Sequence, residues 1–572
     1  MHLFSSVYVQ GAAVVEGVDR AVMASHGVGV VRERLVTRAG EAQRVLDTHA
    51  QTPLWSIGQD IKGSLTLYVS EKRTKRVTVL PDPLGGGIIY MHRDADGTAI
   101  SSDLGGLVRF LTMLGKPPRK SLAYVASYVA TGSGGLIQSS YEGITALEQF
   151  AYLEVSSAGV RTRTYPVEAE VFQRPSTYKA GLEAVRADVE ENIRAIASAG
   201  RPVNIAHLTG GVDSRAVLAA ILATGVKEQF SFYCSGGPRE PDRIVAECLA
   251  VHYGLTMSNY SGYSETSLAE SFDETLLSRF QHTSGIISGV ASARGRPGTS
   301  TVSSGGYGEL FRSSYNHGRP HGKSLAETAE RMFGRVGMSV DPARRLLADP
   351  LVRELRSRLG AVLGAAAGHD VRSDARLDYV YLNKRNRYFM GEISRSLSPF
   401  AARMDPLYSI NGAKLALSIS GVEREANIVG MDLIEQLSPG LSLLPFDRDR
   451  FGGAFGQLRG RPMTKDFEGY GPPEYVSRGD MNADRVGYKV ERPTEEQITR
   501  AVALKMTPRL VAQFPHVQAG LGELIAAIPN GEFGATFNHR SVRLLMQREP
   551  GHRVHFRTAR NLYAALLWYV HG

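Results

Sequence analysis

The sequence predicts a two-part fold: a β-rich first part over residues 1–174, and an α/β second part over residues 175–572 that ends in a largely helical region. Strand-like runs joined by turns fill the first part, whereas strands and helices alternate after residue 175. The chain of 572 residues is also too long for one ordinary core. We therefore expect α+β architecture followed by an α/β domain with a parallel sheet.

In the first part, two pairs of strand-like runs are each separated by turn residues, which predicts two β-hairpins. The pairs are residues 64–69 with 77–80, and residues 86–91 with 98–101. Helical patterns follow near residues 104–114 and 121–130. The basic run at 72–76 lies between two strands, so we interpret it as a solvated turn and not as a nucleic-acid site.

The second part opens with a helix after Pro175-Ser176, whose apolar positions recur every three or four residues. These positions are Leu182, Val185, Val189, Ile193 and Ile196. Strands predicted near 203–208, 229–234, 257–260 and 299–302 alternate with helices, one of them opened by Pro241-Asp242. Alternation of this kind predicts a parallel sheet that binds ligands at the carboxyl ends of its strands.

The segment from Leu208 to Ser214, Leu-Thr-Gly-Gly-Val-Asp-Ser, lies where the first of those strands ends and a helix starts near Ser214. A tight turn there aims backbone N–H groups at one point beside the positive end of a helix dipole. We expect at least one of the two glycines to have a positive φ. Asp213 would repel a bare phosphate but suits one that carries Mg²⁺. The loop lacks the lysine of a Walker A motif.

This loop resembles the S-G-G-x-D-S pyrophosphate loop of the PP-loop ATP pyrophosphatases, with Thr209 in place of the first serine. It is most similar to the asparagine synthetase B branch, which includes β-lactam synthetase and the lasso-peptide cyclases. Those enzymes adenylate a carboxylate with ATP, release pyrophosphate, and let an amine attack the acyl-adenylate. The resemblance implies that ATP contacts one set of residues: Leu208, Thr209, Gly210, Gly211, Asp213, Ser214, Tyr233, Ser303, Ser304 and Gly305.

The segment Ser303-Ser304-Gly305-Gly306-Tyr307-Gly308-Glu309-Leu310-Phe311 resembles the S-G-E-G-A-D-E-L-F segment of asparagine synthetases. Gly308 occupies the place of an Asp that helps to hold Mg²⁺ in the family. The resemblance therefore implies a metal site formed by Asp213 and Glu309, both also candidate catalytic residues. Lys465 is the candidate for the family's catalytic lysine. Asp242 either serves the site or simply complements a helix dipole.

The first part resembles the family's Ntn-type amidotransferase domain, a β-rich sandwich, at its D-x-x-G and S-S-D turns. These turns are Asp82-Pro83-Leu84-Gly85 and Ser101-Ser102-Asp103. Glutamine-dependent members carry a cysteine nucleophile after the initiator Met, whereas this chain has His2 and its first cysteine is Cys234. We expect a degenerate glutaminase-like domain, and an amine that does not come from glutamine.

Composition sets further limits. A net charge of +9, with 22% charged and 43% hydrophobic residues, is typical of a globular protein and does not by itself indicate a nucleic-acid partner. The two cysteines, Cys234 and Cys248, lack metal-ligand spacing and indicate a reducing compartment. There is no apolar run of membrane-spanning length. We expect a cytoplasmic protein that neither binds nucleic acid nor enters a membrane.

The leading hypothesis is an ATP-dependent, AMP-forming amide ligase without glutaminase activity, acting on a small-molecule or peptide carboxylate. Natural-product or lasso-type peptide cyclisation is its expected setting, with a precursor peptide and a protease as candidate partners. Two alternatives stay open. One is a PP-loop enzyme that modifies RNA or nucleosides. The other is a degenerate nucleotide-binding scaffold, which Gly308 favours and the intact Thr209–Ser214 loop opposes.

Overall fold

The computed structural model describes residues 19–132, 134–236, 240–259, 271–289, 300–313, 339–341, 344–447, 452–460, 473–476, 493–504, 506, 508–547 and 553–572. These residues form a mixed α/β fold that contains one parallel sheet and separate antiparallel sheets. The predicted division into mainly antiparallel strands followed by a parallel sheet is therefore confirmed at this level. His2 and Lys465 lie outside the described residues.

The described residues of the first part contain nine strands. These form a six-stranded sheet in the order β2-β1-β3-β4-β8-β9 and a three-stranded sheet in the order β6-β5-β7, and all pairs are antiparallel. The strands are β1 Arg20–Val31, β2 Arg34–Val36, β3 Ile61–Glu71, β4 Arg76–Pro81, β5 Tyr90–Asp94, β6 Gly97–Ser101, β7 Ile144–Ala146, β8 Ala151–Ser156 and β9 Gly159–Thr164. Five helices accompany them: α1 Ala39–Thr48, α2 Leu54–Gln59, α3 Leu104–Met113, α4 Leu122–Thr131 and α5 Val167–Val171.

Both predicted hairpins are confirmed. Strands β3 and β4 pair from Glu71 with Arg76, and the basic turn between them is exposed. Strands β5 and β6 pair from Asp94 with Gly97, where the Asp94 carboxylate accepts the Gly97 N–H and fixes the turn. Apolar side chains from both sheets share one buried cluster, so the two sheets pack together.

In the second part, the residues that the structure describes include a sheet of six parallel strands in the order β16-β13-β10-β11-β12-β17. They are β10 Val203–His207, β11 Ser231–Tyr233, β12 Met257–Ser258, β13 Ser300–Ser303, β16 Ala402–Arg403 and β17 Tyr475–Val476, and a separate hairpin comprises β14 Ser339–Asp341 and β15 Arg344–Arg345. The strands near 203, 229, 257 and 299 that the sequence predicted are thus confirmed. Because β13 lies directly beside β10, two segments almost 100 residues apart end at the same sheet edge.

Helices pack against this sheet and form most of the other described residues of the second part. They are α6 Tyr178–Ser198, α7 Val212–Ala223, α8 Pro241–Tyr253, α9 Phe272–Gln281, α10 Asp349–Gly368, α11 Arg376–Val380, α12 Arg387–Leu397, α13 Ile410–Ser418, α14 Gly421–Glu425, α15 Ile428–Leu437, α16 Gly452–Arg459, α17 Glu495–Ala503, α18 Pro508–Ala512, α19 Phe514–Ala526, α20 Asn530–Thr536, α21 His539–Gln547 and α22 Arg553–His571. All five apolar positions predicted for α6 are buried. The described residues beyond 324 are largely helical, as expected.

One helical stretch departs from the α-helical pattern. Residues Tyr381–Asn386, between α11 and α12, form a π-helix, a rare geometry that rotates the following side chains relative to an uninterrupted helix. Arg387, just beyond it, is 2% exposed and donates to the Gly85 carbonyl of the first part at 3.0 Å. The π-turn therefore precedes a buried arginine that ties the two parts together.

Further buried polar contacts join the two parts. The Tyr408 hydroxyl donates to Asp82 Oδ2 at 3.0 Å, and burial raises the pKa of Asp82 to about 6 although two backbone N–H groups and that hydroxyl oppose the shift. On the other side, Lys62 of β3 pairs with Asp188 and Glu191 of α6 at 3.0 and 2.7 Å. Among the described helices none has the length and apolar character needed to cross a bilayer.

Candidate nucleotide site

The Leu208–Ser214 loop connects β10 to α7 and is closed by its own hydroxyl groups. Gly211 is the N-cap of α7, so the helix begins at Val212, two residues earlier than expected. Ser214 Oγ accepts the Thr209 N–H at 3.1 Å and lies 3.0 Å from Thr209 Oγ1, which in turn accepts the Gly211 N–H at 3.2 Å. The hydroxyl groups of Thr209 and Ser214 thus hold the loop in its closed shape.

Neither glycine of this loop has a left-handed backbone, so the prediction of a positive φ was wrong. Gly210 is needed for a different reason: a Cβ there would lie 2.5 Å from Asp447 Cβ and 2.9 Å from the Asp447 backbone N. A Cβ on Gly211 would meet only Thr209 Oγ1, at 3.4 Å. A glycine is therefore required at position 210 by close packing against a distant segment. The backbone conformation at position 210 does not itself require a glycine.

Asp242, at the first turn of α8, reaches into the loop. Its Oδ1 accepts the Gly210 N–H at 3.0 Å. The loop therefore already binds one anionic group, a carboxylate, at a backbone N–H beside the start of α7. The sequence left open whether Asp242 serves the site or only its own helix; in the structure its side chain contacts the site.

The Ser303–Gly308 segment lies directly against the start of α7. Ser303 ends β13 opposite Ala206 of β10. A Cβ on Gly305 would lie 2.7 Å from Asp213 Cβ and 2.8 Å from the Ser214 N. The two segments that the sequence singled out are thus in contact, and a side chain at position 305 would push them apart.

Gly308 also packs against Asp213. A Cβ at 308 would lie 2.9 Å from both Cβ and Cγ of Asp213, and 2.8 Å from Leu407 Cδ1. An aspartate side chain at position 308 would therefore not fit beside Asp213 in this arrangement. Instead, Arg312 Nη2 lies 3.1 Å from Asp213 Oδ2, and the two side chains are only 21% and 23% exposed.

Glu309 follows Gly308 in the short 3₁₀ helix Gly308–Phe311. Its Oε2 is shielded from solvent. Burial and the negative charge of Asp213 raise the pKa of Glu309 to about 7, while Arg312 acts in the opposite direction. Asp213 and Glu309 thus interact electrostatically, and Arg312 interacts with both carboxylates.

A fourth acid, Asp405, follows β16 at the same sheet edge. It is 3% exposed and is held by Arg403, whose Nε lies 3.0 Å from Oδ2, and by the Ser304 hydroxyl, 2.7 Å from Oδ1. Ser304 was expected to contact a nucleotide, but in the structure its hydroxyl donates a hydrogen bond to Asp405. The Tyr307 hydroxyl lies 3.4 Å from Ser64 Oγ of β3, so this segment also contacts the first part.

Two further predicted contacts lie at the strand ends. The Tyr233 carbonyl accepts the Leu208 N–H at 2.8 Å. The centroid of the Tyr233 ring lies 5.5 Å from that of the His207 ring. Ser303 is 1% exposed, and its Oγ has no hydrogen-bond partner among the described residues. A buried hydroxyl in that state is costly unless a ligand or water satisfies it. This observation fits a ligand at the end of β13.

Arg215 anchors the segment that packs on Gly210. It is fully buried, donates to the carbonyls of Leu444 at 2.6 Å and Leu441 at 3.3 Å, and stacks 3.7 Å from the Phe446 ring centroid. Burial lowers the pKa of Arg215 to about 9, so it stays charged at neutral pH. The next residue, Asp447, donates its N–H to the Gly210 carbonyl at 3.2 Å. Arg215 therefore positions this segment against the loop.

The carboxylates of the site do not form a cage for a divalent ion. Within the part of the chain that the structure describes, no three His, Cys, Asp or Glu side chains lie close enough to hold a metal. Asp213 pairs with Arg312, and Asp405 pairs with Arg403. These donor sets do not fit a Mg²⁺ ion held by protein groups alone, and the metal site of Asp213 with Glu309 stays a prediction.

Sequence reasoning missed Arg215, Arg312 and Asp447. The two arginines are adjacent to the recognised segments, one residue after Ser214 and three after Glu309, so a search for charges flanking the motifs would have found them. Asp447 lies more than 230 residues from Gly210, and nothing in its local sequence indicates the contact.

Comparison with known proteins found no family model and no curated protein that matches this chain.

Proposed function

We propose that this protein is an ATP-dependent, AMP-forming ligase that adenylates a substrate carboxylate for attack by an amine. The observation that carries the proposal is the contact between the Thr209–Ser214 loop and the Ser303–Gly308 segment at the carboxyl ends of adjacent parallel strands. The buried Ser303 hydroxyl, which has no hydrogen-bond partner among the described residues, supports a ligand at this edge. A PP-loop fold for the second part and an Ntn-like fold for the first belong to the same proposal.

In the proposed reaction, an oxygen of the substrate carboxylate bonds to the α-phosphorus of ATP. The bond between the α-phosphorus and the oxygen that bridges it to the β-phosphorus breaks. Pyrophosphate leaves from the Thr209–Ser214 loop, where the start of α7 favours negative charge. The amine nitrogen then bonds to the acyl carbon, loses a proton, and AMP departs. Mg²⁺ is expected on the phosphates of ATP, since Asp213 and Asp405 are paired with arginines.

The first part then has a structural task. It contacts the catalytic segment through Ser64 and Tyr307, and it holds Tyr408 through Asp82. The amine is proposed to belong to the substrate or to a separate donor, and cyclisation of a peptide or small molecule is the simplest case, because holding both ends gives a large effective concentration. A precursor peptide, an associated protease and a cytoplasmic location are part of this proposal.

The test is pyrophosphate release from α-labelled ATP in the presence of candidate carboxylate substrates, with AMP and coupled product quantified together. Equal amounts of AMP, pyrophosphate and amide product are expected. In a parallel reaction with ¹⁵N-amide glutamine, no label should enter the product; label in the product or release of glutamate would contradict the proposal.

A second candidate is a scaffold that binds a nucleotide without reacting it. This candidate is favoured by the ion pair between Asp213 and Arg312. It is also favoured by the packing of Asp213 against Gly308, which leaves no room for a side chain at position 308. Tight ATP binding without turnover for any carboxylate tested would support the scaffold. A PP-loop enzyme acting on RNA or nucleosides would instead release pyrophosphate only when a nucleic acid is supplied.

A further inference from the structure

The central carboxylate of the site faces a guanidinium. Arg312 Nη2 and Asp213 Oδ2 are 3.1 Å apart, and more than three-quarters of each side chain is shielded from solvent. Burial alone would lower the pKa of Arg312, but the charges of Asp213 and Glu309 outweigh that effect and raise it. A charge-assisted bond of this kind in a shielded setting is stronger than an exposed ion pair.

A second carboxylate cannot join Asp213 from position 308. Any Cβ at that position would approach Asp213 Cγ to 2.9 Å and Leu407 Cδ1 to 2.8 Å. Of the other acids near the loop, Asp405 is neutralised by Arg403 and Asp242 accepts the Gly210 N–H. Arg312 is thus the cation beside both Asp213 and Glu309, and it offsets their negative charge at the start of α7.

We propose that Arg312 is the phosphate-binding cation of this site, so that the pyrophosphate group binds to the protein without a metal ion held by protein carboxylates. The proposal rests on the proposed function, and it names a binding residue that the motifs do not include. Asp213 alone would repel a phosphate group, whereas Asp213 paired with Arg312 is neutral overall. A guanidinium has five N–H donors in a planar fork, so one group can serve a carboxylate and a phosphate oxygen together.

The experiment measures binding of inorganic pyrophosphate by calorimetry, in EDTA and again with Mg²⁺, to four proteins: the wild type, Arg312→Gln, Arg312→Lys and Arg186→Gln. The last is the matched control, because Arg186 forms a half-exposed i,i+4 pair with Glu190 on α6. The wild type and the control should bind pyrophosphate in EDTA with equal affinity. Arg312→Gln should bind at least about tenfold more weakly, the loss of one hydrogen bond to a charged group, and Arg312→Lys should recover part of the affinity.

A second measurement separates phosphate binding from a merely structural ion pair. Electron paramagnetic resonance with Mn²⁺ alone should detect no binding to the wild type, whereas Arg312→Gln should bind Mn²⁺, because Asp213 is then without its guanidinium. A structural role would leave pyrophosphate affinity unchanged in Arg312→Gln.

Three results would overturn the proposal: pyrophosphate binding to the wild type only when Mg²⁺ is present, tight Mn²⁺ binding to the wild type alone, or equal pyrophosphate affinity in Arg312→Gln. The first two use only the wild type, so they decide the matter even if a variant fails to fold. They leave the proposed ligase standing. Absence of pyrophosphate and ATP binding with and without Mg²⁺ would overturn both.

Discussion

Adding one methyl group to each of two neighbouring glycines tests whether the loop is shaped by packing. In Gly210→Ala the new Cβ would lie 2.5 Å from Asp447 Cβ, about 1 Å inside an ordinary contact, and 2.9 Å from the Asp447 backbone N. In Gly211→Ala the nearest atom is Thr209 Oγ1 at 3.4 Å. Both residues lack a left-handed backbone, so conformational strain does not distinguish them.

The expected magnitude follows from this difference. Gly210→Ala must displace the Asp447 segment, which is held by the buried Arg215, and overpacking of a fixed site costs about 1–3 kcal/mol. Gly211→Ala should change the free energy of unfolding by less than about 0.5 kcal/mol. Pyrophosphate release should fall up to about 100-fold in Gly210→Ala, as a shift of about 1 Å in a catalytic loop can cause.

The assay is urea unfolding at equilibrium together with pyrophosphate release, on both variants and the wild type. Gly225 would not serve as a control, because its φ of +70° makes any side chain at that position strained on its own account. Equal effects of Gly210→Ala and Gly211→Ala on the free energy of unfolding would refute the packing argument. A Gly211→Ala variant that is less stable than Gly210→Ala would refute it as well.

Three further changes test other parts of the site. Asp213→Ala should lower AMP formation at least about 100-fold, because Arg312 then loses the carboxylate that holds it in place; circular dichroism should stay close to wild type, and near-native turnover would contradict the assignment. Arg215→Met should lower the free energy of unfolding by about 2–4 kcal/mol, since buried carbonyls lose their donor; a loss below about 1 kcal/mol in urea would show that the anchor is dispensable. Glu309 has a raised pKa of about 7 against an unfolded value of 4.5, so its neutral form stabilises the fold and this contribution is lost as pH rises from about 4.5 to 7. Wild-type stability relative to Glu309→Gln should therefore fall over that interval by at most about 3 kcal/mol, and a constant difference would mean that Glu309 titrates normally.

Local patterns in the sequence predicted most of the secondary structure. Hairpin turns and period-two runs indicated β3 to β6, and apolar spacing of three and four indicated α6. The order of strands and helices after residue 175 predicted a parallel sheet, because parallel strands require crossover connections. These features depend on residues that are near one another in the chain.

The site was predicted only in part. The sequence located the Thr209–Ser214 loop and the Ser303–Gly308 segment, and the strand order explains why they meet. The prediction of a positive φ at one of the loop glycines was wrong. A glycine can be required by a neighbouring segment that packs closely on it as well as by its own backbone conformation. The candidate lysine, Lys465, lies outside the described residues.

The sequence by itself determined the kinds of chemical group at the site: two glycines, hydroxyl groups and a carboxylate between a strand and a helix. Only the tertiary structure decided their partners. Asp447 packs on Gly210 from far along the chain, Arg312 pairs with Asp213, and Asp242 accepts the Gly210 N–H. The physical reason is that charge pairing and close packing act over a few ångströms in space, whatever the separation in sequence, whereas turns and helix periods depend on neighbours along the chain.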